Sequence, residues 1–161
     1  ALVCGAAETT FEGQGAMQLE HFAARCPDRD ALDRVALALV VDESGVLRSD
    51  WAALLPMLCN QSASCEARAL QFHISMGEAL LAQVAAISAI ETFDAIGLTG
   101  GVFQNRILAE LVIARLQAAA YTVELPRVTP MNDGGLAFGQ VVEAAARQKR
   151  RAAASGMRQA Q

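Results

Sequence analysis

A chain of 161 residues, 53% apolar and 19% charged, has enough apolar mass for a packed core and too little charge for a disordered segment. Its net charge of −4 provides no basic footprint, which argues against nucleic acid as a main partner. No apolar run of about 18 residues and no basic region followed by an apolar core in the opening "ALVCGAAETT" lead us to expect neither a membrane span nor a signal peptide.

Cys4, Cys26, Cys59 and Cys65 form no Cys-x-x-Cys pair, and His21 and His73 complete no zinc-like spacing. Four reduced thiols of a cytoplasmic protein are expected. In chain order, Phe11 to Cys26 reads as a loop feeding a helix. Ala16, Leu19, Ala23 and Ala24 share one face of it and Pro27 stops it. The run Arg34 to Val41 and the segment Val46 to Asp50 flank Asp42-Glu-Ser-Gly45, a hairpin signal. Trp51 to Cys59 follows as a short helix that Ser49 or Asp50 can cap.

Ser64 to Phe93 is the longest helical stretch. Leu70, His73, Ile74, Gly77, Leu80, Leu81, Val84, Ala85 and Ile87 recur at three and four, giving one apolar face. Gly77 on that face marks a close helix crossing, and His73 reads as a packed histidine. A strand at Ala95 to Leu98, a helix carrying Ile107 to Leu116 and a strand at Tyr121 to Leu125 come next. A loop, "VTPMNDGGLAFG", then leads into a last helix from about Gly135 to Arg150. Strand–helix–strand order points to an α/β layer.

Two glycine loops stand at strand ends, where ligands collect in open α/β sheets. In Thr99-Gly100-Gly101 the glycines permit positive φ and expose bare backbone to a ligand. Asn105, one helical turn in, can offer its amide to a base or ribose; alternatively Gln104 or Asn105 caps the helix. The helix-start amides nearby can also face an anion. In Asn132-Asp133-Gly134-Gly135 the carboxylate either caps the last helix or serves as a metal ligand. A third, weaker signal is Glu12-Gly-Gln-Gly15, a GxG turn with no clear strand before it.

"FEGQGAMQLE" (Phe11 to Glu20), Phe72-His73, "LTGGVFQNRIL" (Leu98 to Leu108) and "PMNDGGLAFGQ" (Pro130 to Gln140) occur in this order. Over about Phe11 to Ala146 they resemble the C-terminal part of the HypF-type carbamoyltransferases of nickel–iron hydrogenase maturation. The resemblance implies an α/β fold, the second lobe of an actin/Hsp70-like (ASKHA, Kae1-like) nucleotide-binding domain with a mixed sheet flanked by helices. Residues 1–150 would form that lobe and residues 151–161 a disordered tail. The fold is shared with threonylcarbamoyl transferases acting on tRNA and with small-molecule O-carbamoyltransferases, which remain alternatives, as does a non-catalytic docking domain.

The family's chemistry implies ATP and carbamoyl-adenylate as ligands and a thiol of HypE as acceptor. A first lobe and a YrdC-like domain complete such an enzyme. By resemblance Gly100, Gly101 and Asn105 match the adenosine loop, while Gly13 and Gln18 match the segment touching ribose and phosphates. Related proteins carry a glutamate where Gln18 aligns, and Glu20 is the substitute at hand. Asp133 matches a carboxylate that completes a divalent-metal site (zinc, iron or magnesium) whose His-x-x-x-His ligands belong to the first lobe. Without that lobe, the long apolar helix is expected to favour self-association.

Overall fold

The computed structural model describes residue 3, residues 8–27 and residues 32–159, with side chains described as far as Arg151. Cys4 and the end of the expected tail lie outside the described residues. The chain divides into two compact units, one of Ala1–Ile96 with Asn105–Glu124, the other of Gly97–Gln104 with Leu125–Gln161.

The first unit is built on three helices, α1 (Gln14–Ala24), α3 (Cys65–Ser88) and α4 (Arg106–Ala118), with the short α2 (Leu54–Cys59) beside them. Ser64 starts α3 by accepting a hydrogen bond from the Ala67 amide at 3.1 Å, and Glu66 in the first turn suits the positive end of the helix dipole. Ala23, Cys26, Ala69, Leu70 and Ile107 form one buried cluster, joined by Leu19, Phe22, Ile74 and Leu111. A β-carbon added at Gly77 would lie 3.8 Å from Leu111 Cβ and 4.0 Å from Val112 Cγ2. The glycine thus marks the expected crossing of α3 and α4.

At 24 residues α3 is long and apolar enough to cross a membrane by length and composition alone, a correction to the expectation that no such run exists. In this fold it is a packing helix. It buries Ala69, Leu70, His73 and Ala79, and its Glu78 pairs with Arg34 at 3.1 Å and Arg115 at 2.9 Å.

The hairpin forms where expected but is shorter. β1 (Leu39–Val41) and β2 (Leu47–Ser49) pair antiparallel, Leu39 opposite Ser49 and Val41 opposite Leu47. Asp42 organises the turn by accepting from the Ser44 and Val46 amides, each at 2.9 Å, and from the Ser44 hydroxyl and Arg48. These bonds, the Ser44 side chain first, hold its carboxyl down at about 2. The first half of the expected strand instead packs inward. The Val35 amide donates to Ser75 Oγ of α3 at 3.0 Å, and Val35 and Leu37 join a second cluster with Leu54 and Ala79.

Two further short strands, β3 (Ile96–Gly97) and β4 (Val123–Glu124), pair with each other. The described residues therefore hold two two-stranded pairs flanked by helices, consistent with the α/β fold expected. Tyr121, the expected start of β4, instead donates its amide to Leu116 O at 3.0 Å and closes the end of α4.

The second unit comprises two single 3-10 turns, Gly101–Gln104 and Asp133–Gly135, and the helix α5 (Leu136–Gln159). That helix runs past Arg150, the end expected from the sequence, and carries an i,i+4 pair between Glu143 and Arg147.

Ala120, which follows α4, has φ +65, a left-handed conformation that glycine adopts without strain. Ala120→Gly is expected to raise stability by roughly 1 kcal/mol, read as a higher urea midpoint with unchanged slope.

Candidate functional site

Asn105 stands at the cap of α4, not one turn inside it. Its backbone is extended (φ −68, ψ 105), and its Oδ1 accepts from the Leu108 amide at 3.0 Å. That bond fixes which way the amide faces. With oxygen on the helix, nitrogen must face the other side, and there Nδ2 donates to His73 Nε2 at 2.8 Å.

The same bond fixes the tautomer of the His73 imidazole. Nε2 accepts, so Nδ1 carries the proton and donates to Ala69 O at 2.7 Å. His73 is 1% exposed and uses both ring nitrogens, a packed histidine as its place on an apolar helix face implies. Burial pushes it below the ordinary imidazole range, against the opposing pull of the Ala69 carbonyl, the Glu20 charge and the Asn105 bond.

Glu20 of α1 closes the same corner. Its Oε1 accepts from the Arg106 amide, the first of α4, at 2.7 Å. The start of α4 is therefore already served by a carboxylate and a side-chain amide, and an incoming anion there would meet the Glu20 charge. Glu20 is correspondingly committed through one of its two oxygens. Gln18, on the same helix, is half-buried, and its Oε1 is enclosed without a hydrogen-bond partner among the described residues. Gly13 caps α1 with φ +80 and accepts from the Met17 amide at 3.0 Å.

In the second unit the two glycine loops line one cleft of about 450 Å³. Thr99, Gly100, Asn132, Asp133, Gly139 and Glu143 are among its walls. Gly100 has φ +103 and donates its amide to Met131 O at 2.6 Å, so a side chain there would be strained. A β-carbon at Gly135 would come within 2.8 Å of Pro130 O, and its amide donates to Asn132 O at 2.9 Å. Gly101 is different, since a β-carbon would meet nothing nearer than Gln104 Oε1 at 3.9 Å.

The capping role belongs to Asn132, whose Oδ1 accepts from the Gly134 amide at 3.0 Å. Asp133 is left exposed, and its carboxylate takes no hydrogen bond or ion pair among the described residues. The described residues hold no group of three or more His, Cys, Asp or Glu able to hold a metal. Asp133 therefore fits a metal as one oxygen donor and no more. Gly101, Asn105, Gly13 and Gln18 are not among the residues lining this cleft.

Sequence reasoning missed the partner of Asn105, the Glu20 contact and the choice of Asn132 over Asp133. The first two depend on residues 32 and 86 positions away, which no local pattern encodes.

A sheet-and-helix lobe with glycine loops lining a cleft is the class of structure defined here. Residues 1–140 match the family described as carbamoyltransferase, Kae1-like domain, second subdomain. The chain belongs to that family. It is 34% identical over 139 residues to a carbamoyltransferase HypF homolog of Cupriavidus necator, covering 83% of this chain and 35% of that protein. It is 36% identical over 158 residues to carbamoyltransferase HypF2 of the same organism, covering 85% and 20%.

A crystal structure of full-length HypF in the phosphate- and nucleotide-bound form superposes with a TM-score of 0.77 at 24% identity, over 88% of this chain and 18% of that one. The HypF structure from T. kodakarensis gives 0.70 at 21% identity, over 89% of this chain and 18% of that one. These likenesses establish the fold. The chain spans about a third or less of the length of these relatives.

Gly135→Ala is expected to lower stability by about 1–3 kcal/mol through the clash with Pro130 O, and Gly101→Ala to change it by less than about 0.5 kcal/mol. Urea unfolding of the two variants checks both.

Proposed function

We propose that this chain is the nucleotide-contacting lobe of a cytoplasmic carbamoyltransferase that passes the carbamoyl group of carbamoyl-adenylate to the C-terminal cysteine of HypE. The match of residues 1–140 to the Kae1-like second subdomain carries the reading. The nucleotide-bound state of a structural relative supports it. In the reaction, the acceptor sulfur forms a bond to the carbamoyl carbon. The bond from that carbon to the adenylate phosphate oxygen breaks, AMP leaves with the electron pair, and the thiol proton passes to solvent.

The work of this chain is binding and orientation. Gly100 and Gly101 offer backbone free of β-carbons to the adenosine. Asn105 keeps one N–H and one oxygen lone pair beyond its two bonds. The enclosed Oε1 of Gln18 suits a ribose hydroxyl, with Gly13 beside the phosphates. Asp133 would supply one ligand to a divalent zinc, iron or magnesium ion that polarises phosphate oxygens when bound. The remaining ligands come from a first lobe, and the carbamoyl-adenylate from a YrdC-like domain.

Positioning two reactants and stabilising developing charge require both walls of the cleft. The chain alone is therefore expected to bind nucleotide weakly and to turn over nothing. Ile87 and Ile90, exposed at and just beyond the end of α3, offer apolar surface for self-association.

Calorimetric titration with ATP tests the reading. Wild type is expected to bind at millimolar ligand, with Asn105→Ala and Gly101→Val each weakening affinity about tenfold, or ~1.4 kcal/mol. No binding by wild type, or affinity indifferent to both substitutions, would remove the site from this loop.

A further inference from the structure

We infer that His73 is the positioning residue for the Asn105 amide: its imidazole, anchored on the Ala69 carbonyl, holds Asn105 with oxygen toward α4 and one N–H and one lone pair left for a ligand. The inference rests on the proposal that Asn105 meets the nucleotide.

The geometry leaves little freedom. A side-chain amide capping a helix can be held by its oxygen alone, free to swing about that bond. Here the second bond, 2.8 Å to His73 Nε2, removes the swing. The ring cannot turn either. Nδ1 is tied at 2.7 Å to a carbonyl one turn back on its own helix, and the side chain is almost wholly buried. A rigid acceptor therefore faces a rigid donor, as a site that must present an amide edge within a narrow angle requires.

The arrangement works only with the neutral, Nδ1-protonated ring. The groups facing that ring are the Ala69 carbonyl on α3, Asn105 on α4, which does not titrate, and Glu20 on α1, the charged group that acts on it among the described residues. A second proton would make Nε2 a donor pointed at the donor Nδ2. The Asn105 amide would then have to turn its oxygen to His73 and give up the Leu108 amide. Because burial lowers the affinity of His73 for that proton, the lock is complete above about pH 6.5 and is lost as pH falls through the lower, folded-state value.

Nothing in the local sequence marks this role. A histidine on an apolar stripe and an asparagine 32 residues later read separately as filler and cap, and only the crossing of α3 and α4 joins them.

The test pairs nuclear magnetic resonance with ATP titration on the whole chain. Long-range proton–nitrogen spectra are expected to show the Nδ1-protonated tautomer of His73 at neutral pH. The Asn105 side-chain NH2 signals should move with the same midpoint as the ring. His73→Gln keeps an acceptor and should hold ATP affinity near wild type while abolishing that pH dependence. His73→Leu should shift the Asn105 signals and weaken ATP about tenfold.

An Nε2-protonated ring, or Asn105 signals indifferent to ring titration, overturns the inference. So does unchanged affinity in a folded His73→Leu chain that binds ATP as wild type. Should wild type bind no ATP, the nucleotide reading fails, while the spectra still decide whether His73 holds Asn105. Should His73→Leu fail to fold, the wild-type titration and His73→Gln decide the same point.

Discussion

The geometry around α4 hangs on one side chain that bonds in two directions. Asn105 accepts from the helix it starts and donates to a histidine on the helix that crosses it. Each bond is ordinary, worth about 1 kcal/mol net. Their joint effect is constraint, because oxygen and nitrogen of one planar amide cannot exchange places without breaking both. Glu20 adds a third tie from α1 to the first amide of α4. Three helices thus meet at one polar corner beside an apolar packing of Leu70, Ile107 and Leu111. Polar groups enclosed in this way hold a structure in register provided each has a partner. Among the described residues the enclosed Oε1 of Gln18 has none.

The glycine loops obey a different constraint. Gly100 and Gly135 are required by the backbone itself, one by positive φ and the other by the nearness of Pro130 O. Their presence in the sequence therefore says as much about chain geometry as about ligands. Gly101 has no such internal reason. Asn132 caps the turn, and Asp133 stands exposed on the cleft wall.

The order of helices and strands was legible because apolar residues recur at helical spacing on α1, α3 and α4 and because glycine and proline punctuate the loops. Boundaries failed where a distant partner competed. Val35 gave its amide to Ser75 instead of to a neighbouring strand, and Tyr121 gave its amide to Leu116. The cap in Asn132-Asp133 was ambiguous in principle, since both residues are good caps. The positions resembling a nucleotide loop were legible as a motif. The atoms that hold Asn105 were not, because they come from a crossing helix.

Hydrogen exchange of the chain with and without millimolar ATP tests the central claim most directly, since it reports where on the backbone the nucleotide acts. Slower exchange in residues 98–108 and 131–136 is the predicted result. Exchange unchanged in both stretches, or slowed only elsewhere in the chain, would contradict it.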